Sequence, residues 1–298
     1  MGKVELENDR LRVVVSTCGA ELESLYSKDT NLEYLWQPGS EIWPRHSMLL
    51  FPNAGRIARD RVLIDGKVYP ARMHGFAYDM EFRQIQTMTT EAWFELRDNA
   101  YTQRYFPYHF RFQVGFILKD DMLIQRFRVI NDDDRTMYFS LGAHPGFYCP
   151  IDLAESADEY SLVFDCQQNI DRLEMEQHTR LRSGETTPFL DGIDEIPLGE
   201  HFFDNGPMLL GGVKANSITL RSKRSGHFME MGIANFPYMC LWGAPGKMAL
   251  IAIEPWCGIS DAIDADHIWE HRQGTEAVGV GEVFERELTF RVGRKPCE

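Results

Sequence analysis

Hydrophobic and polar residues alternate with a period of two along much of the chain, and helical periodicity is scarce. Lys3 to Glu7 and Leu11 to Ser16 read as strands joined at Asn8-Asp9. Glu33 to Trp36 is a further strand, and Leu49 to Phe51 another that breaks at Pro52. Between them, Gly39 to Arg45 reads as a loop near a ligand or as a core plug, with buried packing the favoured reading for Trp43. Val62-Leu63-Ile64 and Lys67-Val68-Tyr69 flank Asp65-Gly66, a strong hairpin signal. Trp93 to Leu96, Phe110 to Leu118 and Leu123 to Ile130 predict an antiparallel meander, with one helical turn between Asp98 and Tyr108. Residues 151–200 are less regular: Ser161 to Asp165 is a short strand, whereas Gln167 to Gln177 and Gly192 to Gly199 read as loops. Strands resume at Ser217 to Leu220, Phe228 to Ile233, Tyr238 to Trp242 and Glu285 to Val292.

Two strands carry titratable groups. Met137 to Phe147 puts Phe139, Leu141 and Ala143 on one face, and Tyr138, Ser140, Gly142 and His144 on the other. His144 ends a row of mostly small side chains, and Pro145-Gly146 is expected to stop the strand there. In Ala249 to Trp256 the residues Ala249, Ile251 and Ile253 share one face, so Glu254 falls on the other with Ala252. Both His144 and Glu254 precede a proline. Each is either a structural group at a strand end or a proton donor and acceptor for a ligand.

A Gly-containing turn, Asn53-Ala54-Gly55-Arg56-Ile57, delivers Arg56, and the segment after the hairpin brings His74 next to Gly75. Arg59, Arg61 and Arg72 lie nearby, either as solvated charges or as forks for a sugar hydroxyl or a phosphate.

The formal net charge of −14 excludes a general binder of nucleic acid or anionic membrane, which needs a basic face. Cys18, Cys149, Cys166, Cys240, Cys257 and Cys297 are scattered without C-x-x-C or a close Cys/His set, so they read as reduced thiols and no metal site is expected. No stretch approaches a membrane span, and the N-terminus lacks the apolar run of a secretory signal, so a cytoplasmic protein is expected. No linker divides the chain. Residues 1–298 are expected to form one all-β domain.

A glutamate and one or two histidines converging in a β-lined cleft suit proton transfer at a polar substrate, and Arg and Trp alongside suit a sugar. On these motifs the chain resembles the aldose 1-epimerases, or galactose mutarotase-like proteins. The resemblance runs from the Asn53–Ile57 turn to the last strand. It implies a large antiparallel β-sandwich with few short helices. It also implies that Arg56 and His74 bind substrate, that His144 is the general acid and that Glu254 is the general base. Asp204, in His201-Phe202-Phe203-Asp204, matches an acidic residue that binds sugar hydroxyls. The implied reaction opens the hexose ring and recloses it on the other face, with a small-molecule sugar as partner and no cofactor, since only protons move. His-Pro-Gly-Phe and Glu-Pro-Trp depart from the motifs of galactose-specific members and point to a divergent branch. The alternatives are a hexose-6-phosphate 1-epimerase and a non-catalytic carbohydrate-binding protein.

Overall fold

The strands at the N-terminus form as the alternation predicts: Lys3–Glu7, Leu11–Ser16, Leu22–Ser27 and Leu32–Glu33 pair in that order as a four-stranded antiparallel sheet. A computed structural model describes residues 2–39 and 42–296. Ser40 and Glu41, within the loop before Trp43, and Cys297 lie outside the described residues.

The strand expected at Glu33 to Trp36 is cut short. The Glu33 carboxylate accepts the backbone N–H groups of Leu25 and Leu35 at 2.8 and 2.9 Å, which replaces ladder bonds by side-chain ones. The Asp65-Gly66 hairpin is present, joining Arg61–Ile64 to Lys67–Pro70 with both turn residues at positive φ, 49° and 72°.

Among the described residues the main sheet has 14 strands, all antiparallel to their neighbours. It begins with Ser47–Leu50, Gly142–Tyr148, Leu250–Trp256, Tyr238–Trp242, Met208–Gly211 and Tyr160–Met175. It continues through Ser217–Ser222, His227–Gly232, Val283–Arg294, Met122–Asn131, Phe110–Lys119, Glu91–Arg97 and Arg83–Thr87, while Arg182–Pro197 pairs with Tyr160–Met175 off this path. A twisted sheet this wide must curl. Phe147, on the second strand, consequently meets Phe290 of the Val283–Arg294 strand with ring centroids 6.3 Å apart. Phe51, Phe106, Phe110, Phe112 and Phe139 fill the space enclosed. This is the all-β sandwich expected, and helix is confined to 3₁₀ turns of three residues such as Thr102–Arg104.

Three further expectations need correction. Residues 160–197 form a hairpin of two 16-residue strands, Tyr160–Met175 and Arg182–Pro197, where loops around a short strand were expected. Four register shifts interrupt their pairing, and most of the second strand is exposed, so no two-residue period survives in the sequence. The segment from Met137 to Phe147 is two strands, Met137–Phe139 and Gly142–Tyr148, which pair with different partners. Nor does Pro145-Gly146 stop the second of them. Opposite Leu250–Trp256 the ladder is open over 143–145, where a proline N–H would be missing, and resumes at Gly146 in the same register.

Candidate active site

That unbroken register lays His144 opposite Glu254, because Gly142 pairs with Trp256 and Gly146 with Ala252. On the far side Glu254 pairs with Cys240, and Cys240 with Leu209, while His144 pairs with Met48. Directly opposed residues share a face, so Met48, His144, Glu254, Cys240 and Leu209 form one row across five strands. Its centre is polar and its ends are apolar.

Aromatic side chains wall this centre. Trp43 stacks on the His144 imidazole at 4.7 Å and 21°, and Trp242 meets the same ring edge-on at 6.0 Å. His74 approaches His144 at 5.9 Å and Trp256 at 5.6 Å. Two glycines permit this. A Cβ on Gly146 would stand 2.8 Å from the Trp43 ring, and one on Gly142 would stand 2.7 Å from Trp256. The indoles occupy the room that the absent side chains leave on either side of His144. Trp43 is therefore buried, as expected, and is also part of the site.

His74 is held by the Asn53–Ile57 turn. The Gly55 N–H donates to His74 Nδ1 at 3.2 Å, and the His74 N–H donates to the Gly55 carbonyl at 3.1 Å. With Nδ1 accepting, the neutral ring carries its proton on Nε2. The turn itself is pinned by hydroxyls: Ala54 N–H donates to Ser140 Oγ and Arg56 N–H to Ser260 Oγ. Behind it, Asp261 accepts the Ala58 N–H and pairs with the buried Arg272 at 2.7 Å.

A cavity of about 630 Å³, counted with the solvent at its mouth, lies over the row. His74, His144 and Glu254 all line it. Arg56 and Asp204 are not among its lining residues. The Arg56 guanidinium turns out to Asp60 at 3.0 Å, and Asp204 caps the Gly246 N–H at 2.8 Å on an exposed loop beside His201. Arg59 and Arg61 are exposed, and Arg72 is held by Asp79, Tyr78 and Tyr101, all away from the cavity. In their place the lining has Arg180, from the tip of the 160–197 hairpin, which the sequence reading passed over. Nothing in the local pattern marks it; only the hairpin, whose strands are masked by register shifts, brings it to the sheet.

Burial sets the electrostatics. His144 Nε2 is 3.3 Å from Glu254 Oε1, long for a hydrogen bond and within the range of catalytic pairs without substrate. Desolvation drives the pKa of His144 down to about 3, helped by the neighbouring His74, and that of His74 down to about 4. The same burial holds the Glu254 carboxyl well above its ordinary range, opposed by the Trp256 and Cys240 side chains. His144 Nδ1 and Glu254 Oε2 are buried without a hydrogen-bond partner among the described residues. A buried acid beside a neutral imidazole, with acceptor capacity unspent, can pass one proton to and from a polar ligand. Among the described residues no group of three or more His, Cys, Asp or Glu side chains is arranged to hold a metal.

Residues 2–272 match the family model described as aldose 1-epimerase. The chain belongs to the aldose 1-epimerase family. Within reach of this family member is Protein LacX (plasmid) of Lactococcus lactis subsp. lactis, 31% identical over 276 residues, which is 90% of this chain and 92% of that protein. Two solved structures share the fold. A galactose mutarotase related enzyme from Lactobacillus acidophilus superposes with a TM-score of 0.92 at 28% identity, over 98% of this chain and 97% of that one. A galactose mutarotase-like protein from Lactobacillus casei gives 0.90 at 29%, over 98% and 100%. The aldose 1-epimerase family is one of isomerases, and the polar centre of the row lies where the motifs that suggested it fall. No helix is long and apolar enough to cross a membrane among the described residues.

Proposed function

We propose that this protein is an aldose 1-epimerase that interconverts the α and β anomers of a hexose, with Glu254 as general base and His144 as general acid. The observation that carries the reading is the buried contact between His144 Nε2 and Glu254 Oε1 on the floor of an open, aromatic-walled cavity. In the ring-opening step the charged pair acts: the Glu254 carboxylate takes the proton of the anomeric hydroxyl while protonated His144 gives one to the ring oxygen. The C1–O5 bond breaks and C1 becomes a carbonyl. One proton has then moved from His144 to Glu254 through the sugar. Rotation of the carbonyl and reclosure on its other face run the same transfers backwards and restore the pair.

Without substrate, burial favours the neutral form, acid plus imidazole. Sugar hydroxyls that hydrogen-bond to the pair supply the polarity that water does not, and as the 3.3 Å contact tightens the proton crosses to His144. His74, neutral and donating through Nε2–H, orients a sugar oxygen. The Trp43 and Trp242 rings offer apolar faces to the C–H side of a pyranose. Arg56 supports the site through its backbone N–H, which ties the turn to Ser260 Oγ. Only protons move, so the chemistry calls for no cofactor.

Anomer exchange followed by NMR on a panel of aldoses tests this, with wild type beside Glu254→Gln. Acceleration by wild type, lost in the variant, is the expected result. A sugar that binds yet exchanges no faster than in buffer would make the protein a carbohydrate-binding module and remove the role given to Glu254.

A further inference from the structure

Arg180 differs from the other arginines around the site. It lies half-buried against the cavity, and among the described residues its guanidinium has neither a carboxylate within ion-pair distance nor a hydrogen bond. Arg45, Arg56, Arg72 and Arg172 are each paired with an acid. The position is built. Arg180 adopts φ of 61°, a left-handed conformation that non-glycine residues seldom take, and is kept there by its N–H donating to the Glu176 carbonyl at 2.9 Å. The hairpin end is fastened in turn: Arg182 N–H donates to the Asp261 carbonyl at 2.9 Å, and Arg182 Nε to the Ser260 carbonyl at 2.7 Å.

Beyond Arg180 the site continues. A second cavity of about 520 Å³ shares Met175, Arg180 and Pro207 with the first and adds Arg172, Gln177 and Asn205. Its lining has no Asp or Glu, and Glu254 is the only carboxylate lining the first, among the described residues. In a chain with a formal net charge of −14, two joined cavities with an unpaired guanidinium and several N–H donors are a local exception. The Arg180 charge also reaches the floor, where it opposes the burial-driven rise of the Cys240 thiol. Neutral hydroxyls would leave this cation uncompensated, whereas an oxyanion would accept its fork of donors.

We infer that the sugar taken by this site carries an anionic group, bound by Arg180 where the two cavities join, and that Arg180 selects anionic aldoses over neutral ones. This rests on the proposed epimerase reading and deepens it. Phosphate and carboxylate are the two sources of that charge, found respectively in hexose 6-phosphates and hexuronates.

The test measures anomer exchange by NMR for glucose and galactose, their 6-phosphates and the corresponding uronates, with wild type, Arg180→Gln and Arg180→Lys. Wild type is expected to favour one anionic class over the neutral parent in kcat/KM. Arg180→Gln should lower that anionic-to-neutral ratio about ten- to a hundredfold, mainly through KM, as expected for loss of a charged hydrogen bond. Arg180→Lys should restore part of it. The class favoured identifies the source. Equal use of neutral and anionic sugars by wild type, or an unchanged ratio in Arg180→Gln, would overturn the inference and leave the epimerase reading standing. If no sugar exchanges, the epimerase reading fails separately, and calorimetric titration with the same sugars decides this one: anionic binding that depends on Arg180 supports it, and its absence overturns it.

Discussion

His144 Nε2 stands 3.3 Å from Glu254 Oε1, across two strands whose ladder is open at that point. In the proposed reaction the two side chains act as one unit, since each transfer that one makes is completed by the other. His144→Gln and Glu254→Gln are each expected to lower kcat for anomer exchange about 10²- to 10⁴-fold, and the double variant little further. Rates from the four proteins, with circular dichroism to check the fold, decide it. Independent, multiplicative losses would mean the groups do not share a proton.

Burial makes the same pair sensitive to pH. Glu254 keeps its proton in the folded chain well above the value near 4.5 at which the unfolded chain loses it, so its contribution to stability is lost as pH rises beyond that value. The slope is at most about 1.4 kcal/mol per pH unit for one group. Glu254→Gln abolishes this term. Its melting temperature, compared with wild type from pH 5 to pH 8, should gain on wild type as pH rises; a constant difference would place the Glu254 pKa in its ordinary range.

The histidines act in the other direction. His74 and His144, with pKa values about 4 and 3 when folded and 6.5 as free groups, stay neutral in the fold while the unfolded chain takes up protons. Stability that is complete above pH 6.5 should therefore fall as the solution is acidified towards pH 4. In a variant with both His74 and His144 replaced by Gln, thermal melts should show a shallower loss over that window.

His74 offers a more selective substitution. His74→Asn retains a residue tolerant of positive φ, here 63°, and a side-chain oxygen to accept the Gly55 N–H, but withdraws the donor at Nε2. KM is expected to rise about tenfold with a smaller change in kcat. Steady-state exchange rates over a range of sugar concentrations separate the two.

Asp261 and Arg272 form a buried pair at 2.7 Å behind the turn and the hairpin end. Asp261→Ala leaves a buried guanidinium without its partner and should cost about 3–5 kcal/mol. Urea unfolding gives the number, and a loss under 1 kcal/mol would show that water or Trp269 compensates.

Strand alternation put His144 and Glu254 on the faces that line the cavity, because Gly142–Tyr148 and Leu250–Trp256 pair in one register and carry small or apolar neighbours at alternate positions. What misled was the chemistry of proline. Read alone, Pro145 ends a strand; opposite a stretch that forms no ladder bonds, it costs nothing. The long hairpin was illegible for a different reason, since four register shifts shuffle inward and outward positions and leave no period to detect. Arg180 went unseen with it. Arg56 was singled out by its turn, yet sequence does not reveal that its guanidinium finds Asp60 four residues on.

The tip from which Arg180 projects is a turn fastened at its base by backbone bonds from Arg182 to the 260–263 loop, while the proton-passing pair belongs to the paired strands beneath. On the proposed reading the catalyst and the selector are separate parts of the chain, one built into paired strands of the main sheet and the other carried on a hairpin tip. Descendants of such a protein can exchange the tip for another and meet a new sugar without relearning the reaction.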